Sequence, residues 1–439
     1  MSTKHYLLTL VLLVTAPVLK ATPDIQHWQT EHGVDVYFVA ADEIPIVDIH
    51  VVFDAGSARD GDHAGVAGMA LGMLADGADG MSANAISQAF ESVGAEYGTS
   101  LDRDMASVKL RTLAEEEART AAVDMLIKVL SEPDFPQSDF EREQQRSLVG
   151  LQAKKQKPGS VASDAFYAAL YGDHPYAHPT SGTEDSIKAL TPADLRAFHE
   201  KHYTASNATI AVVGALTRDE VEDLANRLVA RLPAGESLPA LADVPAATSS
   251  EERIEFPSSQ THILIGTPVV ERKDPDYFPL YVGNHVLGGG GMVTRLFNSI
   301  REERGLSYSV YSYFYPLAKS GPFVAGLQTS TAQADAALEV LRNEIRDYIE
   351  NGPTADELEA SKQNITGGFP LRIDSNSSIV SYLAVIGFYD LPLDYLDKFN
   401  DRVEAVTRED IVDAFQRRLD VAEFDTIMVG RQPDDNADD

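Results

Sequence analysis

Cysteine is absent from the 439-residue sequence, and basic residues are scarce. Without cysteine the chain has neither a disulfide framework nor a cysteine that could carry a lipid anchor, although it tolerates an oxidising compartment. Lysine and arginine number 36 against 68 aspartates and glutamates, which gives a net charge of −32. Because so acidic a protein does not attract nucleic acid or anionic membranes, we expect neither as a partner.

Long apolar runs are also missing, except at the N-terminus. There Lys4 precedes an apolar stretch from Tyr6 to Leu19, and small residues surround Ala21. This pattern is typical of a secretory signal peptide and is too short for a membrane span. We therefore expect residues 1–21 to be a signal peptide and the mature protein to be periplasmic, without a membrane anchor, in a Gram-negative bacterium.

The remaining sequence alternates strand-like and helix-like patterns, and this alternation occurs twice. The strand-like runs recur in both halves, at 45–56, 105–113, 208–216, 261–269 and 321–329. A stretch rich in Pro, Ala, Ser and Gly separates the two series, as in an inter-domain linker. We predict a duplicated α+β unit, with domains at 26–233 and 257–431, a linker at 234–256 and an acidic tail at 432–439.

Four blocks of sequence carry a family resemblance: YGDHPYAHPTSGTEDSIKALTPADLRAFHEKHY (171–203), NATIAVVGALT (207–217), VLGGGGMVTRLFNSIREERGLSYSV (286–310) and FPLRIDSNSSIVSYLAVIGFYDLPLDYLDKF (369–399). They resemble peptidase family M16, which includes insulinase, pitrilysin and mitochondrial processing peptidase, and in particular its short two-domain bacterial branch. The resemblance implies an α+β fold of two homologous domains, joined by a linker. Each domain would have an antiparallel sheet backed by helices.

Active members of this family are zinc peptidases with an inverted His-x-x-Glu-His motif, in which two histidines bind zinc and the glutamate activates the bound water. By resemblance, the motif falls in GVAGMALGML, residues 65–74. Gly68 and Gly72 then replace the two histidines, and Leu71 replaces the glutamate. A later helix in the family supplies a third ligand, a glutamate, and Gly150 is among the residues at that place. The resemblance therefore implies that this chain holds no metal.

Other residues with metal-binding chemistry are Glu141, Glu143, His63, His174, His178, His199 and His202. The two glutamates lie at least five residues too early for the family's acid positions and are typical of a solvated helix face. Prolines disfavour a helix around His174 and His178. Neither histidine pair has a glutamate where the inverted motif needs it, and a single imidazole such as His63 does not hold catalytic zinc. We expect structural roles for all of them.

The second half retains residues that match the family's substrate-binding arginine and tyrosine. These are Arg301 and Tyr308 in REERGLSY. Gly305 between them can take the left-handed conformation that ends a helix, so both side chains can reach one cleft. By resemblance, the arginine holds substrate and the tyrosine hydroxyl stabilises the oxyanion, but only beside a metal site.

These observations predict a non-catalytic M16 subunit. Its partner would be a homologous chain with an intact His-x-x-Glu-His motif, which supplies the zinc that this chain lacks and binds a peptide substrate with it. The segment 94–110 resembles the family strand to whose edge an extended peptide is added.

Two alternatives stay open. In the first, the chain is a peptide-binding or scaffolding pseudoenzyme without any part in catalysis. In the second, it is an autonomous metallopeptidase whose metal site has moved to other residues.

Overall fold

The computed structural model describes residues 22–246 and 249–431. The strands are β1 (Gln26–Gln29), β2 (Asp35–Ala40), β3 (Ile46–Phe53), β4 (Gly77–Ala78), β5 (Met81–Ser82), β6 (Glu96–Leu101), β7 (Ala106–Leu113), β8 (Ala208–Gly214), β9 (Glu251–Glu255), β10 (Gln260–Val270), β11 (Ser309–Phe314), β12 (Gly321–Ser330) and β13 (Asp425–Gly430). The α-helices are α1 (Val66–Met73), α2 (Ala83–Ser92), α3 (Glu116–Ser131), α4 (Gln137–Lys155), α5 (Pro158–Tyr171), α6 (Glu184–Ala189), α7 (Pro192–His202), α8 (Arg218–Val229), α9 (Tyr277–Asn284), α10 (Ala334–Asn351), α11 (Ala355–Gly368), α12 (Asn376–Phe388), α13 (Phe399–Ala405) and α14 (Arg408–Arg418). Two π-helical segments, His285–Gly289 and Phe297–Glu303, follow α9.

Two large sheets repeat one topology. The first has the strand order β1-β2-β8-β3-β7-β6, and the second has the order β9-β13-β10-β12-β11. Within them β2 is parallel to β8 and β9 is parallel to β13, while all other neighbours are antiparallel. Without β1, the first sheet therefore matches the second strand for strand, and the predicted duplication of an α+β unit is confirmed.

The two halves exchange a helix. Helix α5 of the first half packs on β10 and β13 of the second sheet, and α12 of the second half packs on β8 and β3 of the first. The approach is close: a Cβ atom at Gly266 would lie 3.1 Å from the Phe166 ring, and one at Gly387 would lie 2.6 Å from the Tyr37 ring. A sheet with two apolar faces must pack against other elements on both faces. Each half supplies one helix that packs on the other half's sheet.

The linker predicted at 234–256 is wrong at its C-terminal end. Residues Glu251–Glu255 form β9, which pairs in parallel with β13 and so belongs to the second sheet. Before β9 the chain touches both halves. The carbonyl oxygen of Pro239 accepts a hydrogen bond of 2.9 Å from Arg59, and Asp243 forms an ion pair of 2.5 Å with Lys319.

A buried carboxylate also joins the halves. Asp104, which lies between β6 and β7, is 2% exposed. Its carboxylate accepts hydrogen bonds from the hydroxyls of Tyr176, at 2.5 Å, and Tyr389, at 2.7 Å, and from the backbone N–H of Ala318, at 2.7 Å. Burial raises the pKa of this carboxyl group. Tyr389 follows α12 and Ala318 lies between β11 and β12, so one side chain ties three segments together.

The predicted signal peptide, 1–21, and the acidic tail, 432–439, lie outside the described residues. Within 22–246 and 249–431, no helix is both long and apolar enough to cross a bilayer. The described chain is therefore built from the two sheets and their covering helices.

Candidate functional site

Helix α1 carries the family's motif positions, and a buried aspartate fixes its start. The carboxylate of Asp60 accepts hydrogen bonds from the backbone N–H groups of Gly65, at 2.7 Å, and Ala67, at 2.8 Å. Burial raises the pKa of Asp60 to about 7. Gly65 has a φ of +93°, a conformation that glycine adopts without strain. The helix is thus held by the hydrogen bonds of Asp60 at its start and by its buried apolar residues, Leu71 among them.

The glycines at the motif positions face open space. A Cβ atom at Gly72 or Gly150 would meet nothing within 4 Å. At Gly68 its nearest neighbours would be Leu101 Cδ2 at 3.5 Å and the carbonyl oxygen of Thr180 at 3.6 Å, which is ordinary contact. Close packing therefore does not explain glycine at these three positions.

None of the motif positions offers a ligand for zinc. Leu71 is 3% exposed and packs in the core of the first half. Glycine and leucine have no side-chain donor atom, so they can neither bind zinc nor move a proton. The zinc site of the active family members does not fit the residues present here.

Helix α4, where the third ligand is expected, lies beside α1. The Ser147 hydroxyl is 3.4 Å from Sδ of Met69, which links the two helices. Gly150 is exposed on α4. Glu141 and Glu143 each pair with a neighbour on the same helix. Glu141 is exposed as predicted, whereas the Glu143 side chain is only 15% exposed. Helices α1 and α4 are therefore adjacent, and the positions at which the resemblance places the family's ligands have no ligand atoms.

The first histidine pair does not converge. His174 Nε2 lies 3.0 Å from the carbonyl oxygen of Ala242, and its Nδ1 accepts a hydrogen bond of 3.2 Å from the backbone N–H of Tyr176. His178 Nδ1 lies 3.7 Å from the carboxylate of Asp60. The two imidazoles thus have separate partners, and both support local structure.

The second pair is buried among aromatic rings. His199 Nε2 lies 2.8 Å from the carbonyl oxygen of Leu130. The His202 ring stacks on Phe198 with 4.4 Å between centroids, and burial lowers the pKa of His202 to about 4. His63 is exposed just before α1. Within the described ranges, no group of three or more His, Asp or Glu side chains could hold a metal ion.

Arg301 and Tyr308 contact each other at the start of β11. The guanidinium carbon of Arg301 lies 4.4 Å from the centroid of the Tyr308 ring and 4.6 Å from that of Phe297. Gly305 has the predicted left-handed conformation, with a φ of +60°, and its N–H donates to the carbonyl oxygen of Arg301 at 3.0 Å. Tyr308 is 74% exposed. Arg301 is partly buried, and its Nε also lies 3.6 Å from a carboxylate oxygen of Glu302. The turn therefore holds the Arg301 guanidinium over the ring of an exposed tyrosine.

Strand β6 is an edge strand beside α1. In the part of the chain that the structure describes, it pairs with β7 alone, so its other edge has unpaired backbone groups. Leu101 at its end lies next to Gly68 of α1. The segment 94–110 thus contains a strand with a free edge in the described chain, next to the helix that carries the motif positions.

A cleft of about 450 Å³ lies between α9 and β11. These two elements correspond in topology to α1 and β6 of the first half. Arg272 and Arg372 line the cleft. No motif in the sequence marks either arginine as a functional residue. Arg372 lies in the block FPLRIDSN, but only the fold brings it to the same cleft as Arg272.

Comparisons with known proteins agree with this geometry. Residues 36–184 match the family profile described as "Insulinase (Peptidase family M16)". Residues 189–365 match the profile described as "Peptidase M16 inactive domain". The two profiles together span most of the described chain.

Individual relatives point to the same family. A crystal structure of a peptidase M16 inactive domain from Pseudomonas fluorescens is similar with a TM-score of 0.91 and 39% identity, over 93% of this chain and 98% of that chain. A Helicobacter pylori protein named a non-peptidase homologue is 25% identical over 98% of this chain and 100% of its own length. A Streptomyces coelicolor protein named an uncharacterized zinc protease is 27% identical over 77% of this chain and 75% of its own length. The chain belongs to peptidase family M16, and its fold is a non-catalytic version of that family's fold.

Proposed function

We propose that this chain is the non-catalytic subunit of a periplasmic M16 zinc-peptidase heterodimer. Its partner is a homologous chain with an intact His-x-x-Glu-His motif. This chain contributes Arg301 and Tyr308 to the partner's zinc site, and the two chains together hydrolyse peptides or unfolded small proteins.

The observation that carries the proposal is the contrast between the two sites. The guanidinium of Arg301 lies over the ring of the exposed Tyr308, while Gly68, Leu71 and Gly72 have no ligand atoms. In the described chain, no hydrogen bond, ion pair or ring contact joins Arg301 or Tyr308 to α1. An arginine–tyrosine pair in a chain whose motif positions lack ligand atoms favours action on another chain's metal.

The chemistry of the two side chains suits this role. Zinc bound by the partner would polarise the scissile carbonyl and activate a water molecule. The Tyr308 hydroxyl can donate a hydrogen bond to the oxyanion that then develops. The planar guanidinium of Arg301 can hold a backbone carbonyl or a carboxylate of the substrate.

The test is reconstitution with a zinc-bearing partner. Tyr308→Phe in this chain should lower kcat of the pair by about 10²-fold, because one oxyanion donor is removed. Arg301→Ala should lower kcat/KM by about tenfold or more, because a charged hydrogen bond to substrate is lost. Peptide cleavage would be followed by fluorescence, and assembly by size-exclusion chromatography.

Arg346→Ala is the matched control, because Arg346 is an exposed arginine on α10 whose guanidinium donates to Asn343. It should leave cleavage unchanged. If Tyr308→Phe and Arg301→Ala also leave cleavage by an assembled pair unchanged, the proposed catalytic contribution is wrong.

A specific observation also favours the scaffolding alternative. The unpaired edge of β6 needs no metal to bind an extended peptide. A chain that binds peptides but changes no partner's activity would establish that function. The autonomous peptidase has no comparable support, and it would require stoichiometric zinc and cleavage by the purified single chain.

The periplasmic part of the proposal rests on the pattern of residues 1–21. Cell fractionation with a C-terminal epitope tag tests it. Recovery of a shortened chain after osmotic shock is the expected result, and recovery of the full-length chain with cytoplasmic proteins would contradict it.

A further inference from the structure

The cleft between α9 and β11 has a basic lining. Arg272 and Arg372 line it together with Tyr281, Asn284, His285 and several other uncharged residues, and no aspartate or glutamate is among them. In a chain with 68 acidic and 36 basic residues, a cleft lined by two arginines and no acid is unexpected from composition. Such a lining favours an anionic ligand.

Neither arginine has an acidic partner in the residues that the structure describes. The Arg372 guanidinium donates to the Tyr281 hydroxyl at 2.8 Å. Arg272 lies 5.5 Å from the ring centroid of Tyr277 and 5.8 Å from that of Tyr389, and its buried Nε has no hydrogen-bond partner in the described chain. Their contacts are therefore with aromatic groups, which leaves both charges uncompensated.

The acidic residues near Arg272 are already neutralised by other bases. Asp274 pairs with Arg418 at 2.8 Å, and Asp276 pairs with Arg417 at 2.9 Å. Asp390 pairs with Lys273 at 2.6 Å. These three carboxylates therefore have basic partners other than Arg272.

The other polar groups of the cleft suit an acceptor-rich ligand. The Tyr281 hydroxyl accepts from Arg372 and retains its own O–H for donation. His285 is held by Ser361 and Asn364, at 2.9 Å and 3.2 Å, and burial lowers its pKa, so it adds no positive charge of its own at neutral pH. The charge therefore comes from the two arginines, whose planar forks match a carboxylate.

We infer that the α9–β11 cleft binds the carboxylate of a peptide, through Arg272, Arg372 and the Tyr281 hydroxyl. The carboxylate belongs either to the peptide's C-terminus or to an acidic side chain. The inference adds a peptide-binding site to the proposed function. It rests on that proposal only because it takes peptides as the ligands. It concerns residues other than Arg301 and Tyr308.

The test uses the full chain alone, without partner or zinc, and isothermal titration calorimetry with three N-acetylated eight-residue peptides. The first contains alanine, serine and leucine and has a free C-terminal carboxylate. The second is the same peptide with an amidated C-terminus. The third is amidated and contains one internal glutamate. We expect the first or the third peptide to bind, more weakly at higher ionic strength, and the second not to bind.

Arg372→Gln is the main variant, because Arg372 is exposed and its replacement spares the core. It should weaken binding of the carboxylate peptides by about tenfold and reduce the dependence on ionic strength. Arg272→Gln should act in the same direction. Arg346 is an exposed arginine outside the cleft and has no acidic partner among the described residues, so Arg346→Gln should bind as the unmodified chain does.

The pattern of binding identifies the source of the carboxylate. Binding of the first peptide alone indicates a C-terminal pocket, and binding of the third indicates recognition of acidic side chains. The inference is overturned if no peptide binds, if the neutral amidated peptide binds equally well, or if folded Arg372→Gln binds as the unmodified chain does. Because cleavage is not measured here, such a failure leaves the catalytic proposal untouched, and a failure of Tyr308→Phe to affect cleavage leaves this inference untouched.

Discussion

Gly65, just before α1, and Gly72, within it, are glycine for different physical reasons. Gly65 precedes the helix with a φ of +93°, and a Cβ atom there would lie 2.8 Å from Ile187 Cδ1. Gly72 has helical geometry and open space around it. The first glycine is required by the backbone. The backbone makes no such demand at Gly72. A glycine there fits a position that has lost a metal ligand and gained no helix-stabilising residue in its place.

Replacement of Gly72 by alanine should therefore stabilise the chain. Alanine loses less backbone entropy than glycine in a helix, so Gly72→Ala is expected to raise the free energy of unfolding by about 0.5–1 kcal/mol. Gly65→Ala should lower it by more than about 1 kcal/mol, because alanine is strained at positive φ. Urea unfolding followed by circular dichroism measures both, and a destabilised Gly72→Ala would contradict the open geometry.

Residue-level prediction succeeded where local chemistry decides the outcome. The sequence predicted that Gly305 takes a left-handed conformation between Arg301 and Tyr308, and its φ of +60° confirms this. It could not predict that Arg272 and Arg372 meet in one cleft. They are a hundred residues apart, and only tertiary packing brings them together.

Among whole elements, strands with apolar patterns were predictable and one charged strand was not. The predicted runs at 45–56 and 321–329 correspond to β3 and β12. Strand β9, with the sequence EERIE, falls within the predicted linker. It lies at a sheet edge and has four exposed residues. An edge strand with so little burial lacks the alternation that identifies strands in a sequence.

The packing of α5 and α12 on the sheet of the other half was equally unpredictable from the sequence. The apolar residues of α12 show that the helix is buried, but they do not show which sheet covers it. Val380 and Leu383 of α12 share a core with Tyr37 and Val213 of the first sheet. Hydrophobic pattern specifies burial, whereas the choice between two similar sheets depends on detailed fit.

Gly387 is a position at which α12 fits closely against the first sheet. A Cβ atom there would lie 2.5 Å from Thr209 Cγ2 and 2.6 Å from the Tyr37 ring. Gly387→Ala is expected to lower the free energy of unfolding by about 1–3 kcal/mol, because the helix must move off the sheet. Gly367→Ala on α11, where a Cβ atom meets nothing within 4 Å, is the control and should raise stability by about 0.5–1 kcal/mol. Equal effects of the two substitutions in urea unfolding would argue against close contact of α12 with the first sheet.

In the molecule as a whole, the two halves behave as one structural unit. The exchanged helices, the segment before β9 and the buried Asp104 all connect them. The sequence predicted two domains joined by a linker, which describes the sheets but not their mutual dependence. Long-range contacts of this kind leave no local signal in composition or periodicity.

Asp104 provides a measure of this connection. Asp104→Asn removes one acceptor from a site where Tyr176, Tyr389 and the Ala318 N–H all donate, so we expect a loss of about 1–3 kcal/mol in the free energy of unfolding. Asp223→Asn on the exposed face of α8 should change it by less than about 0.5 kcal/mol.

A double-mutant cycle with Tyr389→Phe separates the connection between halves from a local effect. We expect a coupling energy of about 1 kcal/mol between Asp104 and Tyr389. Additive effects of the two substitutions would show that this hydrogen bond does not join the halves energetically.

The exchange of α5 and α12 also determines when the chain can complete its structure during synthesis. The first sheet has all its strands once β8 has been made, yet one of its faces stays uncovered until α12, Asn376–Phe388, leaves the ribosome. A nascent chain therefore carries an exposed apolar sheet through the synthesis of more than a hundred residues, a state that invites chaperone binding or aggregation. The same dependence means that neither half, expressed alone, retains the cover that its sheet has in the intact chain.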